Sequence, residues 1–150
     1  GIVMVPKHFN GFPGVVHGGI VAAILDETAG RAVLLQGDDN LMMTLKLEVV
    51  YKRPTPTEVP LTVIGKVVKQ SGRRAQVEGE IRLQDGTVTA TCSAIVVRPP
   101  ENIVTIWEPE KIHWRVFDIK IPMCCFELPG NQGCISVFVC RLVKTKANRI

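Results

Sequence analysis

The stretch His17-Gly-Gly-Ile-Val-Ala-Ala-Ile-Leu-Asp-Glu-Thr-Ala-Gly-Arg-Ala-Val-Leu-Leu35 decides the fold. Residues 20–35 hold no proline and are rich in Ala, Leu and Ile, which predicts a helix of about four turns. Gln36-Gly37 supplies a glycine stop, and Asp38-Asp39-Asn40 reads as a polar loop. Upstream, the short apolar stretch 2–5 leads into the turn-rich His8-Phe-Asn-Gly-Phe-Pro-Gly14. Downstream the period changes to that of strands. Residues 42–51 alternate, with Leu45, Leu47, Val49 and Tyr51 on one face and Thr44, Lys46 and Glu48 on the other. Three more strands are expected at 61–70, 74–83 and 88–97. The tight turn Ser71-Gly72 joins the first two, and Asp85-Gly86 is a hairpin signal between the last two. Arg98-Pro99-Pro100 stops the sheet. One long helix followed by an antiparallel meander predicts an α+β design in which the sheet wraps the helix. The helix is apolar on nearly every side, and one curled sheet cannot cover it all round, so a second subunit is expected.

Composition narrows the class further. With 150 residues, 46% apolar and 21% charged, the chain suits one globular core. Ten prolines and thirteen glycines without a period exclude a coiled coil or a collagen-like rod. No apolar run reaches the roughly 18–20 residues that cross a bilayer. The net charge of +4 is spread along the chain, so neither part reads as a nucleic-acid tail. Residues 1–100 form the expected helix-and-sheet domain. Residues 101–150 read as a C-terminal extension of unknown role, with a candidate strand at 135–143 and with Trp107 and Trp114 as candidates to dock on the body. The five cysteines (Cys92, Cys124, Cys125, Cys134 and Cys140) include no CxxC pair, and the three histidines lack zinc spacing. No metal or cofactor is expected, and reduced thiols without a visible signal peptide point to the cytoplasm. The chain opens on Gly1 and not on Met, which leaves its native start open.

On a 3.6-residue wheel, Gly19, Ala22, Ala29, Gly30 and Val33 fall within about 60° of Asp26. Asp26 thus projects from a stripe of small residues, where another backbone or a thin ligand can come close. Its neighbour Glu27 has Arg31 four residues on, a favourable ion-pair order. Asp26 has no such partner, and a desolvated carboxylate favours the proton, as a general base requires. The alternative is a carboxylate that meets water or a distant cation. His17-Gly18-Gly19 opens the helix, where free N–H groups and glycine's small size suit an oxyanion; the plainer reading is a glycine-rich turn. Nine residues place His17 and Asp26 roughly 13 Å apart along the axis. Two copies with antiparallel helices would bring Asp26 of one to the glycine pair of the other, so a shared site would lie between subunits.

The run from His8 to Glu27, with Thr44-Leu-Lys-Leu-Glu-Val-Val-Tyr-Lys-Arg-Pro54, residues 61–68 and Gly72-Arg73-Arg74, resembles the hotdog-fold acyl-CoA thioesterases of the phenylacetate-pathway type. The likeness covers about residues 8–98. It implies a sheet around a central helix, a dimer or a dimer of dimers, and hydrolysis of an acyl-CoA to free acid and CoA. It also implies site roles. Asp26 is the catalytic carboxylate, as base or nucleophile; Gly18 donates its N–H to the thioester oxygen; His17 orients the substrate; Thr44 positions water. Asn10, seven residues before His17 where the family has six, and Gly19 stand beside the substrate, and Arg53, Arg73 and Arg74 are candidates for the CoA phosphates. The even spread of charge and the lack of a bilayer-length apolar run predict no nucleic-acid and no membrane partner. A non-catalytic acyl-CoA-binding or sensing module is the alternative. A hydratase is disfavoured, since no histidine has an aspartate four or five residues before it.

Overall fold

The computed structural model describes residues 1–34 and 42–107 together with Ser136–Val137. In chain order these form β1 (Ile2–Met4), a 3₁₀ turn (Lys7–Phe9), β2 (Asn10–Phe12), β3 (Val15–Val16), α1 (Gly18–Leu34), β4 (Met43–Tyr51), β5 (Pro60–Ser71), β6 (Arg74–Arg82), β7 (Val88–Val97), α2 (Glu101–Trp107) and β8 (Ser136–Val137). The expected helix begins two residues early, at Gly18, because the His17 carbonyl accepts the N–H groups of Ile20 and Val21. Its expected stop at Gln36-Gly37 and the loop 38–40 lie outside the described residues, as do Trp114 and every cysteine after Cys92. Of the strand expected at 135–143, Ser136–Val137 is described, antiparallel to β1.

The main sheet is antiparallel, in the order β4-β7-β6-β5-β1-β8. The small hairpin β2–β3 stands apart from it and hands the chain to α1. A sheet laid against one long helix is the arrangement the resemblance implied. On the outer side of β4, no described strand pairs with it.

One glycine lets the helix sit down on the sheet, and a second beside it makes room for a cysteine. Gly65 of β5 and Gly79 of β6 are directly opposite one another. A Cβ on Gly65 would lie 2.9 Å from the Thr28 methyl and 3.1 Å from the Ala32 methyl, so the glycine is the space that α1 occupies. A Cβ on Gly79 would lie 2.8 Å from the Cys92 sulfur. Around this seat the core divides along the helix. Val21 and Leu25 pack with Val3, Val5, Leu61 and Ile81 at one end. Ala29, Ala32 and Val33 pack with Ala75, Val77, Ala94 and Val96 at the other. Each large aliphatic side chain so buried contributes about 1.5–3 kcal/mol.

This packing corrects two expectations. Ala29 and Val33 do not belong to an open small-residue stripe: both are fully buried against the sheet, which leaves Gly19, Ala22, Asp26 and Gly30 on the flank. The even alternation expected along β4 also fails at Leu45. Thr44 is opposite Val96 and Lys46 is opposite Ile95, so Leu45 is a bulged extra residue. Cross-strand partners share a face, and Val96 faces the helix. Thr44 therefore stands on the helix side with Leu47, not on the outer face, and Leu45 is left exposed.

Candidate active site

Asp26 lies about 90° around α1 from the line of core residues, on the side of β4. The residue is half-buried, and its Oδ1 is shut off from solvent with no hydrogen-bond partner. None of the ion pairs among the described residues uses it. Glu27, one position on, pairs with Arg31 as its spacing predicts. The Asp26 charge is felt at Cys92 of β7. Burial pushes that thiol up from its ordinary value; a hydrogen bond with the Gly79 backbone opposes the shift, and Asp26 adds to it.

A cleft of about 340 Å³ opens beside Asp26, lined also by Gly30, Leu34, Met42, Met43, Thr44 and the Glu27–Arg31 pair. Its volume falls at the small end of ligand pockets, about 300–1,000 Å³. The bulge at Leu45 is what brings Thr44 here. The carboxylate and the hydroxyl that the sequence singled out thus share one cleft.

The other expected group gathers at the opposite end of α1. His17 caps the helix: its Nδ1 accepts the Gly19 N–H at 3.0 Å. Nδ1 therefore carries no hydrogen, and in the neutral ring the proton sits on Nε2 as a donor. The Gly19 N–H is consumed by this bond, whereas no described residue accepts from the Gly18 N–H. Asn10 is exposed in β2, opposite Val16, and its neighbour Gly11 packs on the His17 backbone. Tyr51, from the end of β4, donates its hydroxyl to the Gly18 carbonyl at 2.8 Å and lays its ring over Gly18. Alternation placed Tyr51 on the helix side but could not show that it anchors the helix start. Gly18 and Asp26 are roughly 12 Å apart along α1, so one chain does not bring them together.

The arginines divide in the same way. Arg53 follows the end of β4 that is opposite Ala90, whereas Arg74 is opposite Val97. Seven residues of β7 separate these ends by roughly 23 Å. Arg53 lies near enough to Asp85 to help lower that carboxyl, after the larger effect of hydrogen bonds from Thr87. Arg73 donates to the Pro99 carbonyl at 3.0 Å and has a structural role as well as a charge. Arg74 is exposed at the start of β6.

A family model described as the thioesterase superfamily matches residues 13–90. The acyl-coenzyme A thioesterase THEM4 of Mus musculus is 32% identical over 100 residues, 65% of this chain and 42% of that protein. Its counterpart in Rattus norvegicus is 37% identical over 78 residues, 52% of this chain and 33% of the relative. The chain thus spans less than half the length of these relatives. Among solved structures, a thioesterase superfamily protein is 38% identical at a TM-score of 0.60, covering 65% of this chain and 47% of its own. A Bacillus halodurans protein solved with CoA is 27% identical at a TM-score of 0.58, covering 64% of this chain and 68% of its own.

Proposed function

Because the chain belongs to the thioesterase superfamily, we propose that it hydrolyses an acyl-CoA thioester, with each active site shared between two protomers. The observation that carries this reading is the Asp26 oxygen, buried without a partner in the cleft it shares with Thr44. A carboxylate oxygen desolvated and left unbonded costs stability, and a proton-transfer role accounts for it. Relatives named acyl-coenzyme A thioesterases and a relative solved with CoA support the substrate class.

In this mechanism the Thr44 hydroxyl holds a water and Asp26 takes its proton. The water oxygen bonds to the thioester carbon, and the carbonyl electron pair moves onto oxygen, where the Gly18 N–H of the partner protomer receives it. Collapse reforms the carbonyl and breaks the C–S bond. The proton held by Asp26 passes to the departing CoA thiolate, leaving the free acid. His17, with its proton on Nε2, steers the pantetheine end of the substrate past Asn10 and Gly19.

The edge of β4, which no described strand pairs with, supports the two-fold arrangement. Met43, Leu45, Val50 and Tyr51 along it are large apolar residues left exposed. If two β4 strands pair antiparallel about Leu47, the partner's Tyr51 comes opposite Met43. The partner's helix start then arrives at the Asp26–Thr44 cleft, and its Arg53 approaches Arg73 and Arg74, a cation cluster for the CoA phosphates. Such a homodimer, alone or doubled into a tetramer, holds two sites.

The test is Asp26→Asn, assayed by thiol release over short, long and aromatic acyl-CoAs. Turnover should fall by more than about a hundredfold, while the folding midpoint holds or rises. Equal rates for variant and wild type would reject the assignment. Binding without turnover by the wild type would instead favour the sensing module.

A further inference from the structure

Among the described residues, nothing packs against Gly30 where a side chain would stand. In a helix interior glycine is the least favourable residue after proline. A Cβ built on Gly30 would have no described atom within 4 Å, and its φ is not among the positive ones. The contrast with Gly65 is direct, since a methyl there would strike Thr28. Neither close packing nor backbone conformation among the described residues therefore demands a glycine at position 30.

Its position suggests another demand. Gly30 is one helical turn past Asp26 on the same flank, and Leu34 is one turn further. All three line the cleft, together with Met42, Met43 and the Glu27–Arg31 pair. From the carboxylate to Leu34 the flank runs roughly 12 Å, polar at one end and apolar at the other, with the empty Cβ position of Gly30 between. A larger side chain there would stand between the reacting end and the apolar end. That polarity matches a thioester substrate with its carbonyl at Asp26 and its hydrocarbon tail pointing toward the methionines.

We propose that Gly30 is the specificity-determining residue for the acyl group: its missing side chain leaves the passage through which an unbranched aliphatic tail runs from Asp26 to Leu34, Met42 and Met43. This rests on the thioester-hydrolase reading of the cleft. A short acyl group ends before the passage and is indifferent to it; a long one must thread it.

The experiment compares wild type, Gly30→Ala and Gly30→Val, with Ala23→Val on the exposed face of α1 as the control. Each is tested on acetyl-, butyryl-, octanoyl- and decanoyl-CoA, as kcat/KM and in parallel as Kd. In Gly30→Val the ratio of decanoyl to acetyl values should fall by about tenfold or more, the scale on which a pocket discriminates added carbons. Gly30→Ala should show a smaller fall in that ratio with Tm raised by roughly 2–4 °C, because a helical glycine has been removed at an open site. An unchanged ratio overturns the proposal. So does a uniform loss over all chain lengths accompanied by a change of molecular mass, which would show that a second copy of the chain fills the space beside Gly30. If the wild type turns over none of these thioesters, the catalytic reading fails on its own. The Kd series then decides the acyl passage: chain-length-dependent weakening in Gly30→Val supports it, and uniform affinities overturn it.

Discussion

A histidine at the start of a helix is fixed by what its ring accepts. The His17 Nδ1 takes the Gly19 N–H, so of the first two amides of α1 only the Gly18 N–H is left to meet a substrate oxygen. Proline is favoured at the first helical position because the N–H it lacks has no partner inside the helix. Gly18→Pro therefore deletes the proposed oxyanion donor while keeping a residue suited to a helix start, its added Cβ meeting the Tyr51 ring at 3.5 Å, an ordinary contact. Its kcat should drop by about a hundred- to a thousandfold with helical content by circular dichroism unchanged. Wild-type turnover in this variant would remove Gly18 from the mechanism. At this scale the sequence was informative where chemistry is written in residue type. An acid without a cation four residues away is visible in a string of letters. What Tyr51 does is not, because its hydroxyl reaches Gly18 across 33 positions of sequence.

The elements were legible wherever one period governed them. Helix α1 and the strands β5, β6 and β7 fall within a few residues of their expected places, since hydrophobic spacing and turn glycines fix them locally. The failure at Leu45 has a physical cause: a bulge changes which face a residue takes without changing composition, so alternation cannot announce it. The paired glycines Gly65 and Gly79 were equally silent, because their meaning lies in register between strands. That register is testable. Gly79→Ala drives a methyl into the Cys92 sulfur and should cost about 1–3 kcal/mol by urea denaturation. Adding Cys92→Ala should recover part of that loss, giving a coupling of at least about 0.5 kcal/mol. Strict additivity of the two changes would show that Gly79 and Cys92 do not meet across β6 and β7.

For the whole molecule the decisive question is whether a site belongs to one chain or two. The separation of Gly18 from Asp26 along one helix makes the answer measurable by mixing. Asp26→Asn and Gly18→Pro each disable both sites of their own dimers. Unfolded together and refolded, they should return about a quarter of wild-type activity, because half of the dimers are mixed and each mixed dimer keeps one intact site. Recovery no greater than the sum of the parents would place the site within a single chain. Arg53 and Arg74 stand at opposite ends of β7, and the proposed dimer is what would gather them into one phosphate site.

The surplus residue in β4 also bears on how this edge can change. In most strands, dropping one residue turns every side chain beyond it inside out. Here the parity is already offset at position 45. Excising Leu45 would bring Thr44 next to Lys46 and leave it facing Val96, its present neighbour across the ladder. The shortened strand would be straighter at its free margin, with the hydroxyl still turned toward Asp26. A lineage could therefore lose this residue and remodel its contact with a neighbouring molecule without surrendering the chemistry behind it.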